Sequence, residues 1–337
     1  MQKRISLKDI AKKVGVSIAL VSYVMNGQEK EKRVGAEVVK KIKDAAEELN
    51  YQPNQIARSL RMKTSKTIGL IVADIANPFF GQLARIIENE ANKSGYTVIF
   101  GSSDEDVTKS AILINTFLNR QVDGLIIVPA EGGDSQIQNL LKKKIPLVLV
   151  DRYYPDINAS HIVLDNYQAT YDATIHHIQN GFSRIAMVAH KSQLIHMKER
   201  IRGYKNAMID NNLSEFICVD EIRFDYYDED MEKVFVEFEK KNKGINALVF
   251  ATNTLSIFGL YCIRNKCLKV PENIAFIGFD GGDVFDLFNP QLSYVRQPLD
   301  EMGKESFRVL VDLMNGSSKI SQIKLSPTLI SRDLKEC

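Results

Sequence analysis

The chain has no tryptophan, and its 337 residues include only four cysteines and five histidines. Cys218, Cys262, Cys267 and Cys337 make no CxxC pair, and His161, His176, His177, His190 and His196 make no zinc-type ligand spacing. Reduced thiols in a cytoplasmic protein are therefore expected, with no metal and no cofactor. No apolar run is long enough to span a bilayer, and the start "MQKRISLKDIAKKVG" lacks the apolar stretch of a secretory signal. These absences predict a soluble, intracellular chain with no membrane partner. They also argue against a secreted transport component.

Signatures of catalysis are absent too. No GxGxxG opens a helix after the first strand-like run, and neither GxxxxGK[ST] nor GxSxG occurs. His176-His177 fall on an expected helix, where they divide between solvent and core more readily than they form an acid–base pair. No catalytic residue is assigned, and the expectation is that the protein is not an enzyme.

What is present is an uneven charge. The whole chain carries a net charge of only +2. Residues 1–63 hold 14 Lys and Arg against 7 Asp and Glu, and the remainder holds 30 against 35. A basic head on a mildly acidic body fits a polyanion-binding module, although a lysine-rich solvated surface gives the same count.

The head, taken as residues 1–52, reads as three short helices. Leu7, Ile10, Ala11 and Val14 recur at helical spacing after Ser6, an expected cap. Gly15 permits a sharp turn, and Ser17 caps a second helix with Leu20, Val21 and Val24 buried and Asn26-Gly27 closing it. Val38, Val39, Ile42, Ala45, Ala46 and Leu49 form the stripe of a third. A helix-turn-helix needs a small residue where its helices cross, a turn residue tolerant of positive φ, and a branched apolar anchor. Ala11, Gly15 and Val21 supply these in order. Residues 53–66 are a polar, basic connection in which "NQIARSLR" has the pattern of one more short helix.

From residue 67 the texture alternates. Strand-like runs are "TIGLIVA", "YTVIFG", "VDGLIIV" and "IPLVLVD", then "HIVLD", "RIAMVAH", "ALVFA" and "IAFIGFD". Amphipathic stretches at residues 81–94, 107–120, 166–180, 197–211, 231–241 and 255–266 separate most of them. Apolar strands joined by helical crossovers predict parallel sheets covered on both faces, in two similar lobes. The fold class is α/β with an all-α helix-turn-helix head. The lobes are placed at 67–165 plus 293–320 and at 166–292 plus 321–337. A ligand of such sheets is expected in a crevice beyond the strands' carboxyl ends.

The stretches "LKDIAKKVGVS", "VSYVMNG" and "AAEELNYQPNQIARSLR" resemble the head of the LacI/GalR family of bacterial repressors. The resemblance continues through "TIGLIVADIANPFF", "VDGLIIVP", "ERIRGYKNAM", "IGFDGGD" and "VRQPLDEMG". It implies a homodimer that places the second helix in the major groove of operator DNA. By position, Ser17, Ile18, Ala19, Ser22, Tyr23 and Asn26 would face phosphates and base edges, with Ser6 beside them. Where many members carry Thr and Arg, this chain has Leu20 and Tyr23, and a tyrosine cannot make arginine's bidentate guanine contact. The family's hinge matches "PNQIARSLR". There Leu60 would wedge into the minor groove, Ala57 would allow close approach, and Asn54, Arg58 and Arg61 would contact the backbone.

The resemblance further implies a periplasmic-binding-protein-like body that holds a small effector between its lobes. Asp74, Asn77, Asp151, Arg152, Asp165, Asn253 and Asp280 lie where strands end. Carried over from the family, Arg200 would reach the effector, Asp280 would accept hydrogen bonds, and Phe79 or Phe80 would form a wall, the other being core. Tyr226 is a candidate platform in the second lobe, and Asp165 is equally a helix cap. Carboxylates and Arg around an aromatic wall suit a sugar or sugar-like polyol. Thr254 replaces a commonly acidic residue. Inducer and corepressor remain equally open.

Overall fold

Ser6 begins the first helix by donating its backbone N–H and hydroxyl to Asp9 Oδ2, at 2.8 and 2.6 Å. This computed structural model describes residues 5–51, 64–224, 226–240, 244–270 and 272–332. The chain divides into two units, Met1–Ser65 and Lys66–Cys337.

In the first unit α1 is Leu7–Val14, α2 is Ile18–Met25 and α3 is Ala36–Glu48. Gly15 ends α1 with φ 77° and donates to Ala11 O at 2.9 Å. A Cβ there would meet nothing within 4 Å, so the left-handed backbone alone accounts for the glycine. Ser17 Oγ caps α2 by accepting from Leu20 N at 3.1 Å. Ile10, Ala11, Val21, Val24, Ile42, Ala45 and Ala46 are buried together, with Leu20, Val38, Val39 and Leu49 packed partly against them.

The second unit holds two six-stranded sheets. The first contains β1 (Thr67–Val72), β2 (Thr97–Ser102), β3 (Gly124–Ile127), β4 (Leu147–Val150), β5 (Ser160–Leu164) and β11 (Gln322–Leu325). Its order is β11-β5-β4-β3-β1-β2, parallel throughout. The second contains β6 (Ile185–His190), β7 (Cys218–Ile222), β8 (Ala247–Phe250), β9 (Ala275–Phe279), β10 (Ser293–Arg296) and β12 (Thr328–Ile330). Its order is β12-β10-β9-β8-β6-β7, and only β12 runs antiparallel to its neighbour.

Helices cover the sheets: α4 (Pro78–Lys93), α5 (Val107–Asn119), α6 (Asp134–Lys142), α7 (Asn166–Gln179), α8 (Ile195–Asp210), α9 (Tyr227–Lys240), α10 (Asn253–Asn265), α11 (Asp283–Leu287) and α12 (Leu299–Met314). One apolar cluster fills the second lobe, and two fill the first, one containing Ile68 and Leu70 and one containing Ile71 and Leu125. This division follows the alternation of side chains along β1, whose successive residues point to opposite faces.

The expected lobe boundaries need correction. Residues 293–296 belong to the second lobe, where Ser293, Tyr294 and Val295 pair with β9. Residues 322–325 belong to the first lobe, paired with β5. The chain therefore changes lobes three times, and the last two changes enclose α12 and β11, α12 lying against β3, β4 and β5. The short strands that decide this, "SYVR", "QIKL" and "TLI", are too brief and too polar for periodicity to assign them.

Candidate functional site

In the first unit, Ser17, Ile18 and Ala19 at the start of α2 are exposed, while Ser22, Tyr23 and Asn26 are half-buried. Asn26 Nδ2 donates to Ser22 O and to Ser22 Oγ, the latter at 3.2 Å, which ties both side chains to the helix end. The Tyr23 ring carries Lys32 Nζ at 5.9 Å from its centre. Asn54, Ala57, Arg58, Leu60 and Arg61 lie outside the described residues.

In the second unit a cleft of about 600 Å³, counting space open to solvent, lies between the lobes. Asp74, Asn77, Phe79, Phe80, Asp151, Arg152, Arg200 and Asp280, all anticipated from the sequence, line it. Asn77 Oδ1 caps α4 by accepting from Phe79 N at 3.0 Å. Phe79 and Phe80 are both buried, edge-to-face at 4.9 Å, and each belongs to the core while bordering the cleft. The first turn of α4 runs along the rim, so the adjacent rings both reach it.

Asp151 follows β4 and Asp280 follows β9, both in the left-handed region at φ 69° and 55°. Equivalent strand ends of the two lobes thus use the same unusual backbone to aim a carboxylate at the cleft. Arg152 forms a double hydrogen bond with Glu105, Nη1 to Oε2 at 2.7 Å and Nη2 to Oε1 at 3.0 Å, and donates Nε to Asp151 Oδ2 at 3.1 Å. Burial opposes its charge, but the Glu105 and Asp151 carboxylates outweigh that and raise its pKa.

Arg200 donates Nε to Asn166 Oδ1 at 2.7 Å and Nη1 to Ala251 O at 2.6 Å, and its guanidinium lies 3.8 Å from the Phe279 ring centre. Burial lowers its pKa, against the pull of Asp280 and Asp151. Burial pushes the Asp280 carboxyl up to about 7, although Arg200 and a 2.7 Å hydrogen bond from Gln297 Nε2 work the other way.

Two expected residues sit elsewhere. Tyr226 is 46% exposed and carries the Arg223 guanidinium 4.0 Å from its ring centre, so Phe224 and Tyr227 line the cleft instead. Asn253 donates to the Asp280 backbone O at 3.1 Å, and its neighbours Thr252 and Thr254 form the lining. Asp165 takes its second role, capping α7 by accepting from Gln168 N at 3.1 Å.

Sequence reasoning missed Glu105, His190, His196 and Gln297, all in the lining. His190 ends β6, so the strand-end criterion that found Asp151 covered it. Its ring stacks on Phe224 at 4.3 Å and 7°. Burial, helped by Arg152 and Arg200, lowers His190 to about 3 and His196 well below the ordinary imidazole value, so both rings are neutral. Glu131 of the first lobe accepts from Ser192 Oγ at 3.0 Å and Gln193 N at 3.1 Å of the second. Among the described residues no group of three or more His, Cys, Asp or Glu is placed to hold a metal ion. No helix among them is long and apolar enough to cross a membrane.

Comparison with known proteins covers nearly the whole chain. Residues 6–54 match the family described as bacterial regulatory proteins, lacI family, and residues 174–333 match a periplasmic binding protein-like domain. The transcriptional repressor PurR of Aliivibrio fischeri strain ES114 is 30% identical over 334 residues, which cover 97% of each chain. Catabolite control protein A of Priestia megaterium is 31% identical over 327 residues, 96% of each. A crystal structure of the lac repressor dimer bound to operator and an anti-inducer superposes with a TM-score of 0.86 over 98% of each chain. At 22% identity that likeness is one of fold.

Proposed function

Since the chain belongs to the LacI family of bacterial regulatory proteins, whose members are DNA-binding transcriptional regulators, we propose that it represses transcription from a palindromic operator as a homodimer in the cytoplasm. We further propose that a small sugar-like effector in the cleft controls it. The observation that carries the first part is α2: a capped helix beside an αL glycine turn, with Ser17, Ile18 and Ala19 left open on a basic unit. A helix of this form places its first residues against base edges. The cleft carries the second part, because aromatic walls with carboxylates and guanidinium groups suit a polyol. Effector and operator would bind with linked affinities, since one lobe arrangement favours each.

Selection of bound DNA from a random pool, followed by mobility-shift titration at two salt concentrations, tests this reading. Binding that is sequence-dependent and salt-sensitive is the expected result. Equal affinity for all sequences would overturn it. Leu60→Ala is expected to weaken operator binding far more than non-specific binding, as an apolar wedge requires. Equal loss on both would remove that role.

A further inference from the structure

We propose that the cleft takes an uncharged, hydroxyl-rich effector and rejects its phosphorylated and acidic counterparts. The proposal deepens the reading of the cleft as an effector site and rests on it.

Four carboxylates, Asp74, Glu105, Asp151 and Asp280, line the cleft against two guanidinium groups, Arg152 and Arg200. Only one of these cations has a donor nitrogen left for a ligand. Arg152 spends three donor nitrogens on Glu105 and Asp151. Arg200 spends Nε and Nη1 on the neutral acceptors Asn166 and Ala251, with one face on Phe279, which leaves Nη2 for a ligand. The two histidines add no charge, since burial keeps both neutral. Helix starts at the rim offer little more. Asn77 Oδ1 already caps α4 and Thr252 Oγ1 caps α10. An anionic ligand would enter desolvated with Arg200 alone to pair with it, against Asp74, Glu105 and Asp151, even though burial pushes Asp280 towards its neutral form.

The unmet hydrogen-bonding capacity points the same way. Gln297 is 5% exposed and donates Nε2 to Asp280 Oδ1, leaving Oε1 buried without a partner. His196, 7% exposed, likewise has Nδ1 buried and unpartnered. An amide oxygen only accepts, so the ligand must bring a donor to Gln297, as it must to the carboxylates. Hydroxyl groups supply such donors without charge, and their carbon faces suit Phe79, Phe80 and Phe224.

The test is thermal melting of the full-length protein with four separate mixtures. One holds neutral sugars (glucose, galactose, ribose, cellobiose), one the phosphates of glucose, galactose and ribose, one glucuronate and galacturonate, and one hypoxanthine and guanine. The expected result is a raised melting temperature with the neutral sugars and about tenfold or weaker binding of the charged ones, about 1.4 kcal/mol. Stabilisation by phosphates or uronates equal to or above that by neutral sugars would overturn the proposal while leaving a sugar effector in place. Stabilisation by the purine bases alone would overturn both the sugar reading and the hydroxyl-rich effector proposed here. No shift with any mixture would overturn both. Gln297→Leu, which keeps the volume but loses both the acceptor and the Nε2 donation to Asp280, is expected to retain a cooperative melt and reduce the neutral-sugar shift, and Gln297→Glu, which keeps an acceptor but not the donor, to retain more of that shift. An unchanged shift would remove Gln297 from the recognition argument.

Discussion

Asn166 Oδ1 accepts a 2.7 Å hydrogen bond from Arg200 Nε, joining the first turn of α7 to the guanidinium that faces the cleft. Both residues are buried, at 6% and 2% exposure. Asn166 Nδ2 is fixed in turn by donation to Leu164 O at 3.1 Å. Asn166 therefore positions Arg200 without lining the cleft itself. Leaving a buried donor without its acceptor costs about 1–3 kcal/mol, and more when the donor is charged. Asn166→Ala should weaken effector binding by about tenfold or more at unchanged operator selectivity, measured by calorimetric titration. Asn166→Asp, which keeps the acceptor, should recover part of the loss.

A parallel case governs the head. Ser17 Oγ is the cap of α2, and caps of this kind contribute about 0.5–2 kcal/mol. Ser17→Ala should lower the melting temperature of the first unit as well as operator affinity. Ser17→Asp restores the cap and adds a negative charge where phosphate is expected. It should recover the melt but not the DNA binding, a split that circular dichroism and mobility shift together would reveal.

Leu194 belongs by sequence to the second lobe, yet it is 5% exposed within the apolar cluster of the first, with Ile71, Ile127 and Tyr154. The Glu131 contacts to Ser192 and Gln193 lie beside it. Removing a buried leucine side chain costs about 2–5 kcal/mol. Leu194→Ala should destabilise the body and raise amide exchange at Gln193. Glu131→Ala should raise that exchange alone, because Glu131 is exposed and its bonds contribute little to global stability. Exchange unaltered in both variants would mean that these contacts do not hold the lobes together.

Stability should vary with pH through groups of opposite sign. Burial holds His177 at about 4 and His190 at about 3, below the 6.5 of a free imidazole. Their contribution is present above pH 6.5 and is lost as pH falls towards those values. Asp280, raised by burial to about 7 with Arg200, Asp151 and Gln297 around it, contributes below its unfolded value of 3.8 and loses that contribution as pH rises through 7. The imidazoles outnumber the carboxyl, so the melting temperature should fall on acidification from 6.5 to 4. Asp280→Asn should make the fall steeper, since it removes the group that gains. A shallower fall would contradict the assignment.

Much of this architecture was legible because buried parallel strands are apolar along their length, as "LVLV" and "ALVF" are. Of the four edge strands only β2, "TVIFGS", carries a comparable signal. In "CVDEI" only the two end residues are buried, and β7 went unseen with β10, β11 and β12. The cleft was legible where a polar residue ends a strand, which found Asp74, Asp151 and Asp280. Glu105 was not, since it reaches Arg152 from a turn held by positive φ at Asp104 and Glu105. Tyr226 and Tyr227 differ only in side-chain direction at the start of α9, a matter that packing against Phe258 decides for Tyr227.

Gly203 shows why a short motif such as "ERIRGY" has to be read together with its packing partner. A Cβ on Gly203 would lie 2.2 Å from Tyr167 O and 2.5 Å from Thr170 Oγ1. That places α8 directly on α7, and Thr170 Oγ1 donates to Arg200 O at 2.6 Å in the same crossing. The first of these neighbours is backbone, so neither helix can yield by turning a side chain. Overpacking usually costs about 1–3 kcal/mol, and a backbone clash belongs at or above the upper end. Gly203→Ala should therefore lower the melting temperature of the body. It should also weaken effector binding more than Asn166→Ala does, because it displaces the turn that carries Arg200 rather than one of its partners. Operator binding by a variant that still folds, with effector affinity unchanged, would show that the helix crossing does not set the position of Arg200.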